Sequence, residues 1–145
     1  MTLRQALAIP AGALAGMLTG IVLVTLFVLA ILIAQGTGAK DWARADVLLT
    51  RQPYVALSFA LIALGFVAGG FVTGLIARAQ ERRLALAAGL LLIVGNAVLQ
   101  GGSTPLRDFL EALAVLALMA AGAALARRRR LRRAARAAAD QLAAF

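Results

Sequence analysis

Long uncharged stretches alternate with short charged segments along the chain. Uncharged runs cover residues 7–34, 54–77 and 84–100, and a fourth apolar segment covers residues 109–126. A helix rises about 1.5 Å per residue, so about 20 such residues cross the roughly 30 Å hydrocarbon core of a bilayer. The pattern therefore predicts an all-α fold, a four-span transmembrane helix bundle with spans at 7–34, 54–77, 84–100 and 107–126.

The predicted spans differ in length. The first has 28 uncharged residues and must tilt or protrude, whereas the third has 17. Seventeen helical residues reach across only about 25 Å. The fourth span follows Ser103 and Thr104, either of which can cap a helix, and Pro105, which suits a first helical turn.

The composition agrees with a membrane protein. Hydrophobic residues make up 63% of the chain and charged residues 14%, whereas soluble domains are about 45–50% apolar and about 25% charged. Cysteine and histidine are both absent, which excludes disulfides, thiol nucleophiles and the commonest zinc and haem ligands. We therefore expect no cofactor and no metal.

The basic residues are distributed unevenly between the two sides that four spans create. Eleven precede the first span, separate the second from the third, or follow the fourth, and four lie in the other two connections. Cytoplasmic segments carry the excess of Lys and Arg. The sequence therefore predicts a multi-pass protein of the bacterial inner membrane with both termini cytoplasmic, and the net charge of +9 needs no nucleic acid to explain it.

The connection 35–53 is external in this topology. Its apolar residues Trp42, Val47, Leu48 and Leu49 are spaced among charged ones. Such spacing predicts a short interfacial helix on the outer leaflet.

Glycines recur at intervals of four on the first two spans. Small residues at this spacing let two helices approach closely. They indicate either tight packing within one monomer, which we favour, or a dimerisation face or mobile substrate interface. The predicted helix-packing residues are Gly12, Gly16, Gly20, Gly65, Gly69, Gly70 and Gly74.

Two amides lie on one face of the third span, Asn96 and Gln100. An amide in a membrane helix usually forms a hydrogen bond to another helix, and this role is favoured over a polar path. The candidate partners are Thr19, Thr25, Ser58 and Thr73.

Charged residues cluster at the start of the fourth span, where Arg107, Asp108 and Glu111 lie within five positions. Paired carboxylates there could hold a cation or pass a proton. The structural interpretation is favoured, because acidic residues complement the dipole at a helix N-terminus and Arg107 is spaced to pair with Glu111.

Residues 127–145 form a predicted basic amphipathic cytoplasmic tail, separate from the transmembrane domain 1–126. Its apolar residues Leu131, Ala135, Ala138, Leu142 and Phe145 recur at steps of three and four. The tail is expected to contact anionic lipid headgroups, or else to dock a partner protein. The residues predicted to make these contacts are Arg127, Arg128, Arg129, Arg130, Arg132, Arg133 and Arg136.

Residues 64–78, which read LGFVAGGFVTGLIAR and precede a short basic turn, resemble the second span of small uncharacterised four-helix bacterial membrane proteins. That resemblance implies a fold and no mechanism. The small multidrug exporters fit poorly, since their first span carries a glutamate, and fluoride channels carry a different Gly-Asn signature.

Two classes of function remain open from the sequence. No nucleophile elbow, zinc-protease motif or phosphate-binding loop is present, so we do not expect an enzyme. The first class is an accessory or assembly subunit that packs against other membrane subunits or a second copy. The alternative is a small oligomeric pore former or transporter, holin-like in type; the absence of charge at mid-membrane depth favours the first class.

Overall fold

The fold is built from four helices in the part of the chain that the structure describes. The structure, a computed structural model, describes residues 3–36, 47, 50–77, 80–100 and 105–143, without the side chains of 97–100, 105–108 and 142–143. The helices are α1 (Leu3–Ala34), α2 (Tyr54–Ala77), α3 (Glu81–Gln100) and α4 (Pro105–Ala143). The all-α prediction is confirmed for these residues. The predicted interfacial helix lies mostly outside them, and Val47 is helical.

Three of the described helical segments are long and apolar enough to cross a membrane: α1, α2 and the Phe109–Gln141 segment of α4. Helix α3 is not among them. Its first turn carries Glu81, Arg82 and Arg83, which leaves the short uncharged run of 17 residues. The structure thus agrees with a multi-pass membrane protein.

Local hydrogen bonds set the limits of the first two helices. Gly36 has a φ of +68°, a conformation in which glycine commonly ends a helix, and its N–H donates to the Ile33 carbonyl at 3.0 Å. Helix α2 begins directly after Pro53, and the Val55 N–H donates to the Arg51 carbonyl at 3.1 Å. Proline suits this position because its missing N–H would have no partner in the first turn.

Neighbouring helices in the chain run in opposite directions. The start of α1 meets the end of α2 and the start of α3, where Ala8, Ala77 and Leu84 form a buried cluster. Farther along, the end of α1 meets the start of α2, where Val28 and Leu32 pack with Tyr54. We call the first of these two ends the basic end, because α4 leaves the bundle there with its arginines.

Helices α1 and α2 are in backbone contact. A Cβ added at Gly65 would lie 2.8 Å from the carbonyl oxygen of Gly16 and from the Cα of Gly20. One added at Gly69 would lie 2.6 Å from the carbonyl oxygen of Gly12. These distances leave no room for a side chain, so dispersion and Cα–H···O contacts between the two backbones hold the helices together.

A second close approach joins α2 to α4, with the two helices parallel. The carbonyl of Met119 occupies the space that a Cβ of Gly70 would need, and the Val67 carbonyl does the same at Gly122. One turn later, a Cβ on Gly74 would lie 2.8 Å from the Ala126 Cβ. Helix α2 is therefore the central helix, with α1 and α4 against two of its faces.

The outside of the bundle is apolar. Leu14 and Leu18 of α1, Leu64 of α2 and Leu90 of α3 each leave more than half of their surface exposed. Exposed leucines on three helices are typical of a surface that lipid or a partner covers. The described core, by contrast, consists mostly of alanine and glycine.

We expect alanine to be tolerated at Gly20 and not at Gly65, although both glycines lie in the α1–α2 contact. Gly65→Ala forces the backbones apart and should lower the free energy of unfolding by about 1–3 kcal/mol. For Gly20→Ala the nearest atom is the Cα of Ile62 at 3.9 Å, so stability should stay the same or rise by up to about 1 kcal/mol from helix propensity. Thermal unfolding in detergent measures the stability of both variants. Equal unfolding midpoints for the two would contradict the backbone contact at Gly65.

Candidate functional site

An ion pair joins α3 to α4 at the basic end. The carboxylate of Glu81, the first residue of α3, contacts the guanidinium of Arg130. The side chains are 13% and 28% exposed, respectively. A carboxylate in the first turn also complements the dipole of α3. The pair fixes the start of α3 against α4 at the point where α4 leaves the bundle.

The ion pair uses only part of the hydrogen-bonding capacity of its two side chains. Glu81 Oε2 and Arg130 Nε are buried and have no hydrogen-bond partner among the described residues. Buried polar atoms are usually paired. Beside the ion pair, Glu81 Oε2 is therefore an unused hydrogen-bond acceptor and the Arg130 Nε–H an unused donor within the described residues.

Next to the ion pair, a cleft of about 910 Å³ lies between α3 and α4. Arg82, Arg83 and Arg127 supply positive charge to its lining, and Glu81 is the acidic residue there. Leu86 lines it from α3, and the side from α4 is mostly alanine: Ala120, Ala121, Ala123 and Ala124. The cleft thus combines a cationic rim with an apolar wall.

The other face of α4 carries a row of arginines. Leu125, Arg128, Arg129, Arg132, Arg133 and Arg136 line an open concave surface of about 440 Å³. The guanidinium of Arg129 lies over the ring of Phe71 in α2, with its carbon 5.9 Å from the ring centre, a cation–π contact. This contact orients the first part of the row along the bundle.

The predicted tail continues the last helix without a break. Helix α4 includes 39 residues, and the 17 that follow Ala126 extend about 25 Å at 1.5 Å per residue. Residues 131–141 are all exposed, and Leu131 is 61% exposed. This segment therefore projects from the bundle as a helix, and no other described helix buries any of its residues.

Thr73, one of the predicted partners of the intramembrane amides, forms a hydrogen bond within its own helix. The Thr73 hydroxyl is fully buried and donates to the carbonyl of Gly69, four residues earlier, at 2.9 Å. Asn96 is exposed, and the side chain of Gln100 lies outside the described residues. Ser58 has a buried hydroxyl without a hydrogen-bond partner in the described part of the chain.

The charged cluster at the start of α4 is only partly described. Glu111 is exposed, and the side chains of Arg107 and Asp108 are not described. Their predicted pairing therefore stays a prediction. Within the described residues, no group of three or more acidic, histidine or cysteine side chains is placed to hold a metal ion.

The structure brings the predicted glycines together in two sets. Gly12, Gly16 and Gly20 of α1 are buried along with Gly65 and Gly69 of α2, whereas Gly70 and Gly74 face α4. Because these contacts lie within one chain, the same surfaces are not available to an outside helix.

Sequence reasoning missed several residues of these contacts. Gly122 and Met119 of α4 were not predicted as contact residues, because they lie in an alanine-rich run in which glycine does not recur at intervals of four. Glu81 was overlooked as a partner of the basic tail. A signal for it existed, since the predicted topology places an acidic residue and seven arginines on the same side of the membrane.

Comparison of the chain with protein-family models, with curated proteins and with solved structures gave no match.

We expect Glu81 and Arg130 to be energetically coupled. Exposed ion pairs contribute about 0–1 kcal/mol, and breaking a fully buried one costs about 3–5 kcal/mol. For this partly buried pair, Glu81→Gln and Arg130→Gln should each cost about 1–3 kcal/mol of stability, and the double variant less than the sum. Arg133→Gln, on the exposed part of α4, is the control and should change little. Additive costs for the two single changes would show that the pair does not contribute.

Proposed function

We propose that the chain is a non-enzymatic accessory or assembly subunit of the bacterial inner membrane, with four crossings and both termini in the cytoplasm. Its bundle anchors α4, and the projecting part of α4 holds a partner subunit. The observation that carries the proposal is the unbroken passage of α4 from the bundle into an exposed amphipathic helix.

The direction of the helices supports four crossings. Helix α1 starts at the basic end, α2 returns to it, and α4 leaves the bundle there. Helix α4 runs parallel to α2, so its first turn belongs to the opposite end. Helix α3 therefore has to connect the two ends, and Gly89 packs along this path against Leu116 and Met119 of α4.

The charges support the orientation. Arg4, Arg82 and Arg83 belong to helix starts at the basic end, and the seven arginines of α4 follow there. Arg51, just before α2, lies at the opposite end. The positive-inside bias makes the basic end cytoplasmic.

The projecting segment of α4 supports a partner-binding role. Its arginines occupy one side of the helix, while Leu131, Ala134 and Ala138 recur on another at steps of three and four. All of these apolar residues are exposed. Outside the membrane, an amphipathic helix with an uncovered apolar stripe commonly docks that stripe into a groove of a partner protein.

The interior of the bundle argues against the pore alternative. The contacts of α2 with α1 and α4 are closed at backbone distance, and Thr73, the fully buried polar residue of the described core, bonds within its own helix. Solute paths in membranes are lined by polar groups or water-filled space. A pore would have to form between copies, at surfaces that are largely apolar.

Topology is tested with reporters inserted in the connections. Fusions after Phe145 and at Gln80 should be active in the cytoplasm, and fusions at Gly102 and within residues 39–49 in the periplasm. The fusion at Gly102 is decisive for α3, since a cytoplasmic signal there means that α3 does not cross.

Partner binding is tested with photo-crosslinking residues placed on the two sides of the projecting helix in native membranes. Positions Leu131 and Ala138 should crosslink to one defined membrane subunit, and Leu131→Ser should reduce the yield from Ala138 severalfold. Positions Arg132 and Arg136, on the basic side, serve as the matched controls and should give little of that product. Crosslinks only between copies, together with ion leakage from liposomes that contain the purified protein, would favour the pore.

A further inference from the structure

The cleft between α3 and α4 is cationic at one end and apolar at the other, which matches an amphiphile with an anionic headgroup. Helix α3 runs away from the basic end, so Arg82 lies near that end and Leu86, one turn later, lies deeper in the bundle. Helix α4 runs the other way, so Arg127 lies near the basic end and Ala120 about 10 Å deeper. Both walls are thus cationic at the membrane surface and apolar beneath it.

The charge balance of the cleft favours an anion. Glu81 is the acidic residue of its lining, and its charge is matched by Arg130. Arg82, Arg83 and Arg127 remain as an excess of positive charge. Arginine suits phosphate because its guanidinium donates two parallel hydrogen bonds to neighbouring oxygens.

The shape and size of the cleft favour a bound lipid over a free ion. Its volume of about 910 Å³ lies within the range of about 300–1,000 Å³ that is typical of ligand sites. Ala120 and Ala124, four residues apart, leave a groove on α4 where larger side chains would fill the space. A free phosphate makes no favourable contact with this apolar part, whereas an acyl chain packs against it.

We propose that this cleft binds one anionic phospholipid, with its phosphate at Arg82, Arg83 and Arg127 and an acyl chain along the alanines of α4. The lipid completes the contact between α3 and α4 at the basic end, beside the ion pair of Glu81 and Arg130. This inference goes beyond the accessory role, and it holds whether or not a partner binds the projecting helix.

The arginine row on the opposite side of α4 provides the comparison. It belongs to one helix, and Leu125 is the apolar residue of its lining. Its guanidinium groups can bind phosphate, but its lining has no alanine groove for an acyl chain. We expect general attraction to anionic membranes there, and no lipid that stays bound in detergent.

The test is native mass spectrometry of the full-length protein in mild detergent, with phosphatidylglycerol added in increasing amounts. The wild type should retain one phosphatidylglycerol, and phosphatidylcholine should be retained far less. Changing Arg82, Arg83 and Arg127 together to Gln should weaken binding on the order of 100-fold, since each basic residue contributes roughly fivefold near anionic lipid. The matched control changes Arg132, Arg133 and Arg136 to Gln and should keep the bound lipid.

A second pair of variants separates a lipid from a phosphate ion. Ala124→Leu fills the groove without changing the charge, and should reduce phosphatidylglycerol binding at least severalfold. Ala114→Leu, also at an exposed alanine of α4 but outside the cleft, is its control. Thermal stabilisation by phosphatidylglycerol and not by glycerol phosphate is expected. Equal stabilisation by glycerol phosphate, or equal loss of lipid in both arginine variants, would overturn the proposal.

Discussion

The backbone contacts of α2 with α1 and α4 determine the arrangement of the bundle. Inside a membrane, helices gain little from burying apolar side chains, because lipid tails are equally apolar, so close packing has to hold them together. Gly65 and Gly70 differ by five positions, which turns the second about 140° around the helix from the first. The first therefore faces α1 and the second faces α4, and one glycine-rich helix positions both.

Helix α3 is attached by different means. A Cβ added at Gly89 would lie 3.1 Å from a Leu116 side-chain carbon, whereas one added at Gly70 would meet the Met119 backbone itself. At the basic end the ion pair of Glu81 with Arg130 adds a polar attachment. The helix with the shortest uncharged run is thus held in part by an ion pair.

The sequence predicts helix α2 well and its contacts only in part. The uncharged run 54–77 coincides with the helix because Pro53 precedes it and charges follow it. The spacing of Gly65 and Gly69 predicts that a helix approaches, but not which one, since a helix of the same chain and one of another chain fit the same stripe. Likewise, the spacing does not show that the Thr73 hydroxyl bonds within α2.

The remaining features depended on contacts between distant parts of the chain. The ion pair joins residues 49 positions apart, and neither side chain carries a local signal of the other. The change from alanine to arginine after Ala126 changes the charge of the helix surface and not the backbone, which stays helical to Ala143. Alanine, arginine and leucine are strong helix formers, and neither glycine nor proline follows Gly122, so no helix-breaking residue ends α4 where the arginines begin.

The continuity of α4 links the exposed end of the protein to its interior. Its apolar part is fixed against α2 through Met119 and Gly122, and its basic part is fixed by Arg130 to α3 and by Arg129 to Phe71. A partner or membrane surface that orients the projecting residues therefore acts on a helix already held by α2 and α3. Because backbone contacts at glycine leave no room for a side chain to adjust, α4 meets α2 in one register. The position of the projecting helix relative to the bundle is thus set by the contacts of α4 with α2 and α3.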